Sequence, residues 1–348
     1  MIARKQNYPV GIGILLLFLN SVAPALFGQG EDTIVALDSE KWIEKMNDKL
    51  AIDLSANNDF HRFELRTDDL RLVLYPNTPT NLKLKLNYRF LSVGIKYAPT
   101  FIPGNDDTEQ RGTTKNFGLQ TELIFDHWFL DLAYNSVNGF YLRNSDELIS
   151  ELEEGEYLLF PDLKYRGFRI SSGYSQNTNF SLRSLTTQTE RQLKSAGSFM
   201  PMINFRYYII DDQSDGNTTQ KSNNTEVDIG PGYAYTFVMN ENFYFSLGGS
   251  ANMGYLRTKL TTRFPDGDLV TNSDNLVLRL DGRTGIGYNG DRFYTGLYAT
   301  LSETRYRQES TTAINFDTRL LYHLFFGVRI KAPRFIEKPV KSVEKKLQ

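Results

Sequence analysis

The chain has no cysteine. That excludes disulfides, thiolate metal sites and cysteine nucleophiles. Beyond its first 30 positions it also has no apolar run of about 20 residues, the length a helix needs to cross a bilayer, so a helical membrane bundle is excluded. Neither sign of charge is in excess: 39 Lys and Arg stand against 41 Asp and Glu, a formal net charge of -2. A nucleic-acid binder carries a strong basic surplus, so nucleic acid is not an expected partner. Histidine is scarce, with only His61, His127 and His323. What the chain does have is aromatic residues, 24 Phe, 20 Tyr and 2 Trp among 348, together with 26 Gly. Tyrosine and phenylalanine favour pleated, half-buried strands, and the composition therefore points to an all-β protein.

The N-terminus has the order of a secretory signal peptide. Arg4 and Lys5 precede an apolar run from Val10 to Leu19, and small residues follow at Ala23, Ala25 and Gly28. Charged, apolar and small regions in that sequence direct export, here by the Sec pathway. The apolar run is short for a spanning helix, and without a cysteine after it a lipoprotein anchor is excluded. A buried N-terminal helix is the competing interpretation. Cleavage is expected between Ala25 and Gly28, which makes 1–28 the signal peptide and 29–61 a periplasmic N-terminal segment.

The body alternates. From Asn242 to Tyr255 the odd positions read Phe243, Phe245, Leu247, Gly249, Ala251, Met253 and Tyr255, while the even ones are small or polar, apart from Tyr244. Successive strand side chains point to opposite faces, so Phe245 belongs to one face and Ser246 to the other. Leu82, Leu84, Leu86, Tyr88 and Phe90 alternate with Asn81, Lys83, Lys85, Asn87 and Arg89 in the same way, and Leu320–Ile330 repeats the pattern. A soluble sandwich and a membrane barrel can both produce this. Soluble strands usually run about 5–6 residues, whereas these alternations persist for 10–14. Strands of about 9–11 residues suit a tilted crossing of a bilayer, with apolar residues outward and polar residues inward. The expectation is an antiparallel transmembrane β-barrel in the cell outer membrane.

Very short turns at Phe90-Leu91, Asp126-His127, Asn240-Glu241 and Asn289-Gly290-Asp291 alternate with polar stretches near 100–113, 144–163, 211–225, 258–274 and 306–313. Short periplasmic turns and longer external loops are characteristic of such barrels. They divide 62–331 into about twelve strands: 62–75, 80–90, 91–99, 114–125, 127–143, 164–175, 199–210, 226–239, 242–257, 275–288, 291–305 and 314–331. Both termini then lie in the periplasm, with 332–348 a disordered lysine-rich tail. Residues 48–56 are either an extra strand or a piece folded against the lumen.

The stretches YPNTPTNL (75–82), YRFLSVGIKYA (88–98), LFPDLKYRGFRISSGYSQN (159–177) and RSLTTQTERQLKSAGSFMPMINFRYY (183–208) resemble the domain of unknown function (DUF) family 4421. The resemblance covers roughly residues 48–332, and its most specific part is Glu190 to Phe199. It implies a secreted β-barrel-like protein of a Gram-negative bacterium, and it brings no catalytic residue with it. One departure concerns outer-membrane barrels generally, which often end on an aromatic residue. Here about 17 residues follow Lys331, including Lys338, Lys341, Lys345 and Lys346.

Several motifs reduce to structure. Gly285-Ile286-Gly287-Tyr288-Asn289-Gly290 matches G-x-G-x-x-G, but a dinucleotide fingerprint must open a helix, and the strand that follows makes this a hairpin turn. Asp211-Asp212-Gln213-Ser214-Asp215-Gly216 begins like a calcium loop, yet the twelfth position, which should be Glu, is Ser222. A barrel hydrolase needs a Ser–His pair oriented by a third group, and no serine is placed beside His127 or His323. Catalytic, cofactor and metal residues are therefore not expected, and the protein is read as no enzyme.

The inward positions carry more information. Lys83, Lys85, Arg89, Lys96, Arg279, Arg283, His323 and Arg329 are expected to face Glu122, Asp131, Asp228 and Asp281 in the lumen. Mixed charges pair across a narrow lumen, whereas a wide selective pore is lined by one sign. A structural barrel or a gated, occluded passage is the favoured function. A small-solute channel is the alternative, and a barrel-embedded lipid hydrolase is a more remote one. The partners expected are outer-membrane lipids and the barrel-insertion machinery.

Residues 177–198 are too long for a periplasmic turn. Thr186–Ala196 holds good helix formers such as Gln188, Glu190, Gln192 and Leu193, and Gly197 would stop a short helix. The segment is either an ordered turn that serves folding, or a piece folded into the lumen, where Arg183, Arg191 and Lys194 would meet Glu122, Asp131 or Asp228.

Overall fold

A computed structural model describes residues 41–347, except 67–70, 79, 103, 150, 151, 153, 154, 241 and 308–313. The signal-peptide segment 1–28 lies outside the described residues. The strands are β1 (Ile43–Lys45), β2 (Lys49–Arg66), β3 (Arg71–Tyr75), β4 (Thr80–Tyr88), β5 (Leu91–Tyr97), β6 (Lys115–Ile124), β7 (Trp128–Leu142), β8 (Leu158–Tyr174) and β9 (Glu190–Gln192). They continue as β10 (Ala196–Phe199), β11 (Met202–Asp212), β12 (Thr219–Gly230), β13 (Gly232–Asn240), β14 (Phe243–Phe264), β15 (Gly267–Asn289), β16 (Phe293–Arg307) and β17 (Ile314–Lys331). Consecutive strands pair antiparallel around the sheet, β14 pairs β15, and β17 returns to β2, so the sheet is closed. Closure removes the edges that a strand would otherwise present unpaired.

The ring has twelve staves because two of them are interrupted by proline. Met202 faces Gly230 in β11–β12, and Ala196 faces Thr236 in β10–β13, which is one register running through both. Likewise β12 and β13 keep a common register along β14, from Ile229↔Met253 to Gly232↔Ser250. Pro201 and Pro231 thus stand opposite each other and break the strand assignment without breaking the stave. The break is bridged because Met200 and Gly232 exchange both backbone hydrogen bonds, at 2.8 and 2.9 Å. Proline cannot donate to a ladder, and here its neighbours carry the pairing instead.

At the end opposite the short turns, β3 pairs with the end of β2 and then reaches β7 through Leu74↔Leu142 and Tyr75↔Tyr141. The ring bypasses the shorter staves β4, β5 and β6 there. The connection between β5 and β6 packs against β3 and β4 through two buried asparagines. Asn77 donates to the Asp107 and Gly112 carbonyls, and Asn105 to those of Thr80 and Pro99.

The two faces of the sheet differ as alternation requires. Leu84, Leu86, Val93, Ile95, Leu119, Phe245, Leu247, Leu278, Leu297, Leu324 and Phe326 are exposed on the outside, while Lys85, Asn87, Ser92, Glu122 and Ser246 are buried inside. Inside, Asp53 accepts bonds from Asn87 Nδ2 at 2.9 Å and the Tyr294 hydroxyl at 3.2 Å. A soluble protein would bury the apolar row. Here it covers the outer surface all round.

Several expectations need correction. The barrel begins at Lys49 and not at residue 62: 48–56 belongs to the first stave, and 71–75 is a separate strand. Leu54 is outward there, and Asp53, Ser55 and Asn57 are inward, but the apolar row ends on Ala56 and Asn58, which hid the strand's continuation. The stretches near 211–225 and 258–274 are mostly strand, since β14 and β15 extend to a tight turn at Pro265-Asp266. Between 257 and 275 the large apolar residues are only Leu260, Phe264, Leu269 and Val270, at no regular spacing, so hydropathy shows no alternation there. The C-terminal residues are not a disordered tail: Arg334–Leu347 is a helix. Ile336 and Val340 pack it on Leu50, Ile52, Tyr88, Leu91 and Leu123.

Candidate functional site: a plugged lumen

Of the expected connection 177–198, residues 177–195 turn inward at the short-turn end, while Ala196–Ser198 already belong to β10 in the wall. Asn177 opens the segment, its Oδ1 accepting from Asn179 N and its Nδ2 donating to the Gly197 carbonyl. Phe180 and Leu185 then pack with Met200, Tyr244, Trp42 and Phe129. A single helical turn, Arg183–Thr186, is followed by β9, which pairs with β1 through Ile43↔Gln192 and Lys45↔Glu190. The helix expected over 186–196 does not form. The reason lies in the barrel wall, whose cations take the carbonyls that a helix would have satisfied internally. Lys85 Nζ donates to Thr186 O at 3.0 Å, Arg283 Nη2 to Leu185 O at 3.0 Å, and Arg329 Nε to Gln188 O at 3.0 Å. Gln188 has φ of 55°, in the left-handed region. That conformation costs an ordinary residue about 1–2 kcal/mol, and it turns the Gln188 carbonyl onto Arg329.

The plug's own charges pair at the rim. Arg183 is buried, bonds to Asp126 and lies 3.4 Å from Glu190. Arg191 meets Glu44, the Asn242 side chain and, at 3.5 Å, Asp291. Lys194 lies over the Trp42 ring, 5.6 Å from its centroid. None of the three meets Glu122, Asp131 or Asp228, which lie deeper and have wall partners of their own. Burial would raise the Asp126 carboxyl, but the hydrogen bond and charge of Lys45, then the charge of Arg183, hold it below the usual carboxylate range.

Beyond the plug is a cavity of about 480 Å³, with Leu182 and Thr186 on its plug side and Lys83, Lys96, Thr300 and His323 among its walls. Its charges are largely paired. Lys85 lies 3.1 Å from Glu122, Arg169 2.7 Å from Asp131, and Arg279 2.9 Å from Asp281. Arg206 bridges Glu226 at 2.6 Å and Asp317 at 2.9 Å. For the most buried of these pairs, such as Lys85–Glu122, the desolvation penalty offsets most of the attraction, so the pair adds little net stability.

Of the inward residues expected from alternation, Lys83, Lys85, Lys96, Glu122, Asp131, Arg279, Asp281, Arg283 and His323 line this cavity. Asp228 is buried beside them and accepts a bond from Asn204. Arg329 lies under the plug. Arg89 is elsewhere: it occupies the β4–β5 turn with φ of 54°, and its guanidinium pairs with Glu344 of the C-terminal helix at 2.6 Å. A turn residue has left the strand's alternation, which is why the register assigned it wrongly. Asp53, Arg169, Arg206, Glu226 and Asp317, which were not among the expected residues, are inward as well. Continuing the alternation through β2, β8, β11, β12 and β17 reaches each of them.

Neither His127 nor His323 joins an acid–base constellation among the described residues. His127 Nδ1 lies 2.8 Å from the Ser175 carbonyl, and its ring stacks on Tyr174. His323 stacks on Tyr298 at 4.2 Å, and the side chain of His61 is outside the described residues. The calcium-like Asp211 is bound to Arg263 instead, and Asn289-Gly290 turns β15 into β16. Among the described residues, no three His, Asp or Glu side chains converge as a metal would require.

The family model described as "Domain of unknown function (DUF4421)" matches residues 32–329. The chain belongs to that family. No curated protein matches the sequence. Among solved structures, the outer membrane protease OmpT of Escherichia coli is similar at 7% identity and a TM-score of 0.39, over 82% of this chain and 98% of that one. The beta domain of the Bordetella autotransporter BrkA is similar at 10% identity and 0.36, over 81% and 99%. An outer membrane channel of Pseudomonas putida F1 is similar at 8% and 0.34, over 85% and 100%.

Proposed function

We propose that this DUF4421 protein is an outer-membrane β-barrel that forms an occluded passage, closed at its short-turn end by residues 180–194. The observation that carries this is the seating of the plug. Three wall cations, Lys85, Arg283 and Arg329, each hold a plug carbonyl, and Arg183 and Arg191 fasten its rim. The membrane placement is supported by the unbroken outer apolar surface, which water would not stabilise and lipid would. With the short turns and both described ends of the chain on one side, that side is read as periplasmic. The paired wall charges favour a closed lumen over a constitutive porin, whose channel stays water-filled.

Replacing residues 180–194 with a short Gly-Ser connection tests this. The wild-type protein should conduct rarely in planar bilayers, and the replaced protein should conduct persistently. Equal, steady conductance from both would overturn the occluded reading in favour of a small-solute channel. Silence from both, with the replaced barrel correctly assembled, would favour a structural role.

A further inference from the structure

The C-terminal helix does not sit under the barrel mouth. Leu50, Ile52, Tyr88, Leu91 and Leu123, on which Ile336 and Val340 pack, are all outward positions of their staves. They alternate with the inward residues Ala51, Asp53, Asn87, Ser92 and Glu122, which are buried in the interior. The helix therefore lies across the outside of the wall, over the last outward residues at the short-turn end. The next outward residues along the same staves, Leu54, Leu86 and Val93, are uncovered. In a membrane the helix would mark the level where lipid tails give way to headgroups.

Its other face suits that level. Phe335 is 77% exposed and Val343 48% exposed, which is apolar surface with no protein cover. Beside them Lys338, Lys345 and Lys346 are exposed and pair with no carboxylate among the described residues. The helix's two acids are committed, Glu337 to Lys341 at 2.6 Å and Glu344 to Arg89 at 2.6 Å. What remains free is an aromatic ring flanked by three cations. A helix with apolar and lysine-rich surfaces lies in the plane of a bilayer interface and is drawn to anionic lipid.

We infer that the free face of Arg334–Leu347 binds the headgroups of anionic phospholipids, with Phe335 seated among the acyl chains and Lys338, Lys345 and Lys346 on the phosphates. This rests on the membrane placement proposed above. It assigns the lysine-rich C-terminus a role as an anchor at the periplasmic leaflet and fixes the depth of the barrel in the membrane.

The absence of cysteine makes Val343→Cys a unique labelling site for an environment-sensitive dye. The labelled full-length protein is inserted into vesicles of phosphatidylcholine alone, or of phosphatidylcholine with about one-third phosphatidylglycerol. The dye should move into an apolar environment, with blue-shifted emission and quenching by brominated lipid, to a much greater extent in the anionic vesicles. Each lysine should contribute roughly fivefold to the buried-to-exposed ratio, so Lys338→Gln, Lys345→Gln and Lys346→Gln together should abolish the difference, as should high salt. Equal dye signals in both vesicles, or a signal that the triple variant leaves unchanged, would overturn the inference while leaving the barrel reading intact. Failure of the wild-type protein to insert into either vesicle would overturn the membrane placement and this inference with it.

Discussion

Replacing Arg283 with methionine should loosen the plug by an amount the structure allows to be worked out. Arg283 Nη2 donates to the Leu185 carbonyl at 3.0 Å, and its guanidinium lies 4.0 Å from the centre of the Tyr298 ring. The ring contact joins β15 to β16 within the wall. It is present whether the plug is docked or not, and its loss cancels from the docking equilibrium. What does not cancel is a hydrogen bond from a charged donor, worth about 1.5–3 kcal/mol. Methionine fills much of the same volume, and no carboxylate is left unpaired, since none pairs with Arg283 among the described residues. The undocked population should therefore rise roughly 10- to 150-fold. Two measurements check this. The open-time fraction in planar bilayers should increase by that factor, and so should hydrogen exchange at Met46, whose N–H is held by the plug carbonyl of Thr189 at 3.1 Å. An Arg283→Met protein that assembles normally, with conductance and Met46 exchange both unchanged, would refute the idea that wall cations hold the plug.

The facing of β14 predicts that Phe245→Arg impairs assembly, since an arginine on the lipid face near the midplane costs about 2–4 kcal/mol. Thr300→Gln, which projects into the cavity, should assemble normally, and heat-modifiable gel migration distinguishes the two. Acid should loosen the rim through Asp126. Its depressed pKa means that the stabilisation is fully present above the ordinary carboxylate value of about 3.9 and is lost as pH falls through the lowered folded value. Asp126 is 63% exposed, so the effect should stay below about 1 kcal/mol. The open fraction should be flat from pH 7 to 5 and rise only in strong acid, and Asp126→Asn should diminish that rise; a step near pH 6 would point to a different group.

Much of the architecture was legible because a lipid-facing wall imposes a strict rule on every stave. Apolar residues such as Leu84, Leu86, Phe245 and Leu247 must alternate with interior ones, and this period is readable wherever both faces have a character. The rule fails where one condition lapses. In the outer parts of β14 and β15 both faces meet water, so real strands resemble loops. At Pro201 and Pro231, by contrast, the expected strands 199–210 and 226–239 run through residues that cannot donate to a ladder, and the neighbouring Met200–Gly232 pair carries the pairing across. At Arg89 the chain has already turned, and alternation no longer tells where a side chain points.

The plug and the C-terminal helix mark the boundary between what local sequence can specify and what it cannot. Alternation and turn spacing were enough to determine a closed antiparallel barrel of twelve staves and to nominate most of the charged residues that line its cavity. Residues 186–196 have helical propensity by composition, but propensity is worth only tenths of a kcal/mol per residue. Hydrogen bonds from Lys85, Arg283 and Arg329 are worth far more, and those residues come from staves about 100–150 positions away in the chain. The C-terminal lysines likewise read as a solvated tail until Leu50, Tyr88 and Leu123 are brought side by side to receive Ile336 and Val340. Barrel closure is what assembles both docking surfaces, and no single segment contains them.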